Sequence, residues 1–442
     1  MLTAEEEQYL SWVTAATYEG FGAVVDLGPW LGASTAALAH GLEECGSDRK
    51  VLAYDLFEWR DHYMTGYVDA ATAAGFADGD SFLPLFAQQT RAYGQRIECR
   101  PGSLLDAGWD EGPIEILFVD AAKDWALTNA IFATFGPALV PGRSRVIAQD
   151  FRTHATYWLP YVFDGHPGQW REVERVRRGS TVTFTPLCEW VPTVFRDQDL
   201  DLRRAEPIFR ARIDGEVDEN RIHFANSLYR IAVLRGDHAA MERLGPELAR
   251  LAACNRNADA PAAVAAAACQ QLLAEGWAAL AAGDHVVARR AAATVTGHGI
   301  ASAEARYLDG LAGGDEAVAD APPPSLRLRA AAALTAAGRA ADATREVMAA
   351  LEHPEPPLRQ DVGRLFEALE GIWQSAPPPD PSALLARLES RHRASAPFWF
   401  LRALVECALG NVAAARDSVG RALALDPGHA RAQDLRRRLG GS

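Results

Sequence analysis

The chain has 442 residues and a net charge of −14 at pH 7, long enough for about two to three domains, each with its own core. Most of the negative excess falls within residues 1–150, which disfavours polyanions there and argues against a nucleic-acid partner. No apolar stretch reaches the roughly 18 residues of a membrane span, the acidic start Met1-Leu2-Thr3-Ala4-Glu5-Glu6-Glu7 is unlike a basic signal peptide, and the six cysteines form no Cys-x-x-Cys pair, so a cytoplasmic protein with reduced thiols and no membrane partner is expected.

Thr3-x-x-Glu6 is a capping-box pattern, and Tyr9, Leu10, Trp12, Val13 and Ala16 follow at helical spacing, which predicts an amphipathic helix covering a sheet. Val24-Val25-Asp26-Leu27 then reads as a buried parallel strand ending near an acid. Gly28 and Gly32 permit a sharp turn and a close backbone approach, and Ser34 and Thr35 open a helix whose free N–H groups and hydroxyls can hold a carboxylate or phosphate. The dinucleotide fingerprint Gly-x-Gly-x-x-Gly is absent, and Trp30 stands where a pyrophosphate needs bare backbone, which argues against a nicotinamide enzyme. An ordinary strand–turn–helix junction is the alternative.

This stretch resembles motif I of class I S-adenosylmethionine-dependent methyltransferases. The resemblance implies a Rossmann-like α/β fold with a seven-stranded sheet, and S-adenosyl-L-methionine as cofactor. It places Asp26, Gly28, Trp30, Gly32, Ser34 and Thr35 around the methionine part of that cofactor. Lys50-Val51-Leu52-Ala53-Tyr54-Asp55 is a second apolar run ending in an acid; Asp55 would accept from the ribose hydroxyls, with Leu56 beside it, or would merely cap a helix. Residues 57–96 are rich in aromatics (Phe57, Trp59, His62, Tyr63, Tyr67, Phe76, Phe82, Phe86, Tyr93) and suit either a lid or substrate wall or a plain helical excursion. Ile97-Glu98-Cys99-Arg100 is the third strand, and the resemblance assigns Ser103 and Leu104, in the turn after it, to the adenine.

Ile114 through Val119 forms the fourth strand and leads into Asp120-Ala121-Ala122-Lys123-Asp124-Trp125. That run resembles the Phe-Val-Asp-Ala-Asp-Lys-Asp signature of caffeoyl-CoA and catechol O-methyltransferases. The resemblance implies that Asp120 and Ala121 flank the cofactor, that Asp120 binds a divalent metal such as Mg, and that Lys123 lies beside the nucleophilic oxygen as a base. Lysine occurs only at Lys50 and Lys123, against 42 arginines; a chain that writes Arg wherever any cation serves has a reason for each Lys it keeps. Ser144 through Phe151 is the fifth strand, with Asp150 at its tip as a second metal candidate. Ala122 and Phe151 stand where the family commonly has Asp and Asn, which leaves two carboxylates for a hard cation that wants about six oxygens. His154 is a replacement ligand, a base, or a structural residue.

Arg171–Arg178 reads as a charged helix, and Thr181-Val182-Thr183-Phe184-Thr185-Pro186-Leu187 as an antiparallel edge strand that completes the sheet by residue 190. The expected organisation is a methyltransferase domain over 1–190, a linker over 191–215 and an all-α helical-repeat domain over 216–442. In that last part four segments share a helix, Gly turn, helix register, at Gly236, Gly283, Gly338 and Gly410. The final unit, with Trp399, Ala403, Gly410, Ala415, Ala422 and Asp426-Pro427, resembles a tetratricopeptide repeat. The turn glycines are 47, 55 and 72 residues apart, with Pro-rich segments at 322–324, 356–357 and 377–379, so an irregular helical bundle is the alternative.

Together these readings give an O-methyltransferase whose acceptor is a small molecule, a sugar or a peptide in specialised metabolism, with the helices recognising substrate, a carrier or another protein partner. The helices could equally cover the sheet or form a homodimer interface. The rival is an adaptor in which a degraded cofactor-binding fold serves protein–protein interaction; Ala122 and Phe151 favour it, Lys123 and the intact glycine turn oppose it.

Overall fold

The computed structural model describes residues 2–60, 64–255, 259–298, 303–313, 322–353, 361–375 and 381–440. His62, Tyr63 and the Pro-rich segments at 356–357 and 377–379 lie outside the described residues. The chain divides into two compact units, Met1–Ala265 and Ala266–Ser442.

In the first unit, Thr3 and Glu6 form the anticipated capping box at the start of helix α1 (Ala4–Thr17). Seven strands follow: β1 (Ala23–Leu27), β2 (Val51–Asp55), β3 (Ile97–Pro101), β4 (Ile114–Val119), β5 (Arg145–Ala148), β6 (Trp170–Arg175) and β7 (Val182–Pro186). They lie in the order β3-β2-β1-β4-β5-β7-β6. The first five run parallel, and β7 and β6 are antiparallel additions at one side. Parallel strands covered on both faces must be apolar along their whole length, and β4 is buried at every residue. Helices α1 and α2 (Ala33–Glu44) pack over the sheet, with Leu10, Val13, Leu38 and Leu42 meeting Val24, Val51, Ile116 and Ile147. At their crossing a Cβ on Gly41 would lie 2.5 Å from the Ser11 carbonyl oxygen, so only glycine allows that approach.

Two expectations are corrected. Arg171–Arg178 is not helical: β6 occupies Trp170–Arg175 and is the edge strand, anchored by buried Trp170 and Val176. Arg171, Glu174 and Arg175 on it are exposed, and charge on an edge strand is one way sheets avoid pairing with other chains. Consequently β7 is not an edge; it lies between β5 and β6 and all five of its residues are buried.

Past the sheet, the first unit continues through helices Leu202–Gly215, Asp218–Leu234 and His238–Ala253. Arg212 ties the first of these to the sheet side: its Nε donates to Asp164 Oδ2 at 2.7 Å, Nη1 bonds Glu172, and its guanidinium stands 4.9 Å from the Phe151 ring centroid. The second unit is helical throughout its described residues, giving an α/β sheet followed by an all-α region. The four glycine turns are alike. Gly236, Gly283, Gly338 and Gly410 have φ of 65°, 78°, 74° and 78°. The following residue in each case donates to the carbonyl five positions earlier: Asp237 to Ala232, Asp284 to Ala279, Arg339 to Leu334 and Asn411 to Glu406, at 2.8–3.0 Å. This is the left-handed helix stop that glycine forms without strain. No helix among the described residues is long and apolar enough to cross a membrane.

Candidate functional site

Strands β1 to β3 step toward one edge of the sheet, and β4 and β5 step toward the other, so the chain reverses direction between β1 and β4. Parallel sheets leave a crevice outside the strand ends at such a point. Here it is a cleft of about 430 Å³, within the usual range for small-ligand sites. Gly28 and Trp30 enter it from β1, Asp55, Leu56, Glu58 and Arg60 from β2, and Gly102, Ser103 and Leu104 from β3. Asp120, Ala121 and Lys123 enter from β4, and Gln149 and Asp150 from β5. Met64 and Phe82 line it as well, so the aromatic stretch after β2 forms one wall, with Phe57, Trp59 and Phe86 packed behind.

The turn after β1 is left-handed at three positions: Gly28, Trp30 and Gly32 have φ of 84°, 47° and 95°. A Cβ on Gly28 would sit 3.1 Å from the Asp120 carbonyl carbon, and one on Gly32 would sit 2.3 Å from Thr90 Cγ2. The turn therefore lies pressed between the start of the β4 loop and the helix end at Thr90. Asp26 is beneath it and wholly buried. Its Oδ2 accepts from Ser34 Oγ at 2.9 Å and Thr35 Oγ1 at 2.6 Å. Burial pushes the Asp26 carboxyl up to about 7, against the lowering effect of those two bonds. Asp26, Gly32, Ser34 and Thr35 are not in the cleft lining; they hold the turn and the first turn of α2 together.

Asp55 ends β2 with Oδ1 accepting from Phe57 N–H at 2.8 Å and Oδ2 from Trp30 N–H at 3.3 Å. Burial raises its pKa, with the backbone bonds opposing. Gly102 N–H donates to the Asp55 carbonyl at 2.9 Å, which brings Ser103 and buried Leu104 beside it. Leu56 stands half-exposed at the mouth.

Across the cleft, Lys123 Nζ bonds both Asp120 Oδ1 and Asp150 Oδ2, the latter at 2.7 Å. Burial disfavours its ammonium, but the two carboxylates outweigh that and hold its pKa above the ordinary lysine value. Burial pushes Asp120 up to about 6, with Lys123 pulling the other way. Asp150 is left-handed at φ 57°, a strained conformation for a residue with a Cβ. Ser180 holds it there: Oγ accepts from Asp150 N–H at 3.2 Å and from Gln149 Nε2 at 3.0 Å, and donates to Asp150 Oδ1 at 3.4 Å. Ser180 N–H donates in turn to Oε1 of buried Glu6, at 2.8 Å.

Of the other candidates, His154 lies outside the cleft lining, with Nε2 2.8 Å from Asp259 Oδ2 and Nδ1 3.1 Å from Arg230 Nη1. Phe151 is core, against Phe163, Phe184 and Phe224. Glu58, Arg60, Met64, Gln149 and Ser180 carried no motif in the sequence, and Glu6 was read only as half of the capping box. Gln149, directly before Asp150 on a strand tip, is the one whose place could have been read.

The lining fits a nucleoside cofactor at one end, where the β2 carboxylate, a glycine whose Cβ would press on the β4 loop, and apolar Leu56 and Leu104 meet. It does not fit a divalent metal at the other. Lys123 takes an oxygen of each carboxylate, and among the described residues no group of three or more His, Cys, Asp or Glu is placed to hold an ion. No family model matches the chain, and no curated protein matches it.

Proposed function

We propose that the chain is an S-adenosylmethionine-dependent methyltransferase acting on a hydroxyl of a small-molecule, sugar or peptide acceptor. The observation that carries this reading is the convergence of five strand ends on one cleft, with Asp55 and the glycine turn at one side and the Lys123 cluster at the other. The charge of the lining supports it. Asp55, Glu58, Asp120 and Asp150 outnumber Arg60 and Lys123, so the cleft favours a ligand bearing a fixed positive charge over an anion. When bound, the cofactor supplies a methyl group made electrophilic by a sulfonium.

The residues have separable roles in this reading. Asp55 accepts from ribose hydroxyls, Gly28 lets the backbone close on the ligand, and Leu56, Ser103 and Leu104 surround the base. Lys123 donates a hydrogen bond to the acceptor oxygen as an ammonium rather than serving as the amine base that its motif suggests. Asp120, with a carboxyl near 6, is placed to take the hydroxyl proton, because a base works best with a pKa close to the working pH. The four matching glycine turns support reading the helices as tetratricopeptide-like units that recognise the acceptor or a carrier.

Calorimetry with S-adenosylmethionine and its demethylated product tests the reading. Micromolar-range binding is expected, and Asp55→Ala should weaken it by about 1.5–3 kcal/mol, the worth of a hydrogen bond to a charged group, or roughly tenfold to a hundredfold. Equal affinity in the variant would sink the assignment.

A further inference from the structure

Parallel strands β4 and β5 end side by side, and each ends in an acid: Asp120 after β4 and Asp150 after β5. Two carboxylates converging on one point repel each other unless a cation lies between them. Here the chain supplies that cation itself, three residues after the first acid. Lys123 Nζ meets Asp120 Oδ1 and Asp150 Oδ2 at once.

The surroundings point the same way. Ala122 has no side-chain oxygen and is buried, and Phe151 is turned into an aromatic core. The second Asp150 oxygen faces Ser180 Oγ. A hard divalent ion needs about six oxygens, and displacing Lys123 would leave it two carboxylates with a stranded ammonium nearby.

We propose that Lys123 is the resident cation of this cleft, seated between Asp120 and Asp150 where a divalent ion would have to bind, and that it excludes such an ion. Taken together with the methyltransferase reading, on which only this next step rests, the donor count defines the acceptor. An ammonium has three N–H bonds; two go to the carboxylates, and one remains for a single acceptor oxygen. A metal could chelate two neighbouring oxygens, whereas Lys123 cannot. The acceptor is therefore held by one hydroxyl and needs no vicinal partner.

The test is Mn²⁺ binding to the full chain, followed by electron paramagnetic resonance of the free ion, with no cofactor or acceptor present. Wild type should bind no Mn²⁺ that Asp150→Asn removes. Lys123→Met, which keeps an unbranched side chain one atom shorter and deletes the charge, should bind Mn²⁺ at least tenfold more tightly than wild type, and Lys123→Met with Asp150→Asn should lose that gain. Wild-type binding that Asp150→Asn abolishes would overturn the proposal, even if Lys123→Met does not fold. A folded Lys123→Met that gains no Mn²⁺ would overturn it as well. Failure to bind S-adenosylmethionine is a separate result, which refutes the methyltransferase reading and leaves the lysine as resident cation.

Discussion

Asp26 offers a quantitative test of how the glycine turn is held. It is wholly buried, its carboxyl is pushed from an ordinary 3.8 to about 7, and Oδ1 has no hydrogen-bond partner among the described residues. A shift of about 3 units corresponds to about 4 kcal/mol at 1.36 kcal/mol per unit. The sign follows from proton binding. Between the unfolded and folded values the folded protein holds a proton that the unfolded chain has released, so stability falls as pH rises through this window and levels off above about 7. Asp26→Asn removes the ionisation but keeps an oxygen for Ser34 and Thr35. Its amide lacks an acceptor, which costs about 1–3 kcal/mol at every pH. Wild type should therefore be the more stable form at pH 5 and lose about 2–3 kcal/mol relative to Asp26→Asn by pH 8. Comparing the two chains removes groups that titrate alike in both, while the repulsion that Asp120 and Asp55 exert on Asp26 is part of the difference being read. Urea unfolding followed by tryptophan fluorescence reads the relevant unit, since residues 1–265 contain eight of the eleven tryptophans. Parallel stability curves for the two proteins across pH 5–8 would refute the argument.

Gly32→Ala should destabilise the first unit by about 2–4 kcal/mol, from a left-handed φ and a Cβ forced onto Thr90; Thr90→Ser in the same chain should return part of the loss by deleting the methyl that is struck, and a Gly32→Ala protein with unchanged thermal midpoint would contradict this. Arg212→Met should cost about 3–5 kcal/mol, because it leaves the partly buried carboxylate of Asp164 without its hydrogen-bonded cation and takes from Glu172 one of its two arginines, Arg175 being the other. Denaturant unfolding checks it, and a loss below about 1 kcal/mol would mean the guanidinium does not tie Leu202–Gly215 to the sheet.

Much of the fold could be read from the sequence because its signals are local. An apolar run ending in an acid can be neither a surface helix nor a turn, and β1, β2 and β4 follow from that alone; the capping box and the four glycine turns are equally short-range. What escaped was set by partners distant in the chain. The run Trp170–Arg175 has the charge of a helix surface and becomes a strand because β7 offers it a pairing edge. The alternating threonines at and just before β7 suggested an edge strand, yet Thr181 and Thr183 are buried. Their hydroxyls find partners inside, Glu6 Oε1 at 2.8 Å and Tyr9 OH at 2.5 Å, and a satisfied hydroxyl can be buried at little cost. Both partners come from α1, about 175 residues earlier.

The site divides along the same line. Parallel strands all deliver their C-terminal ends to one side of the sheet, so acids at the tips of β2, β4 and β5 had to gather, and Asp55, Asp120 and Asp150 do. Which neighbour each polar group would face was not encoded by spacing. Ser34 and Thr35 stand at a helix start, where a hydroxyl can turn to a ligand or inward. Burial decides it: a carboxylate as enclosed as Asp26 has no water to solvate it, so it draws both hydroxyls, and even then its carboxyl stays near 7. Lys123 shows the converse. At a half-exposed position one lysine could have remained solvated, but two converging carboxylates attract it more strongly than water does, and the residue that the motif casts as a base becomes the cation that lets both acids stay close. The chemistry of the cleft therefore rests on which charges are enclosed together, a property of five strand ends at once rather than of any one motif.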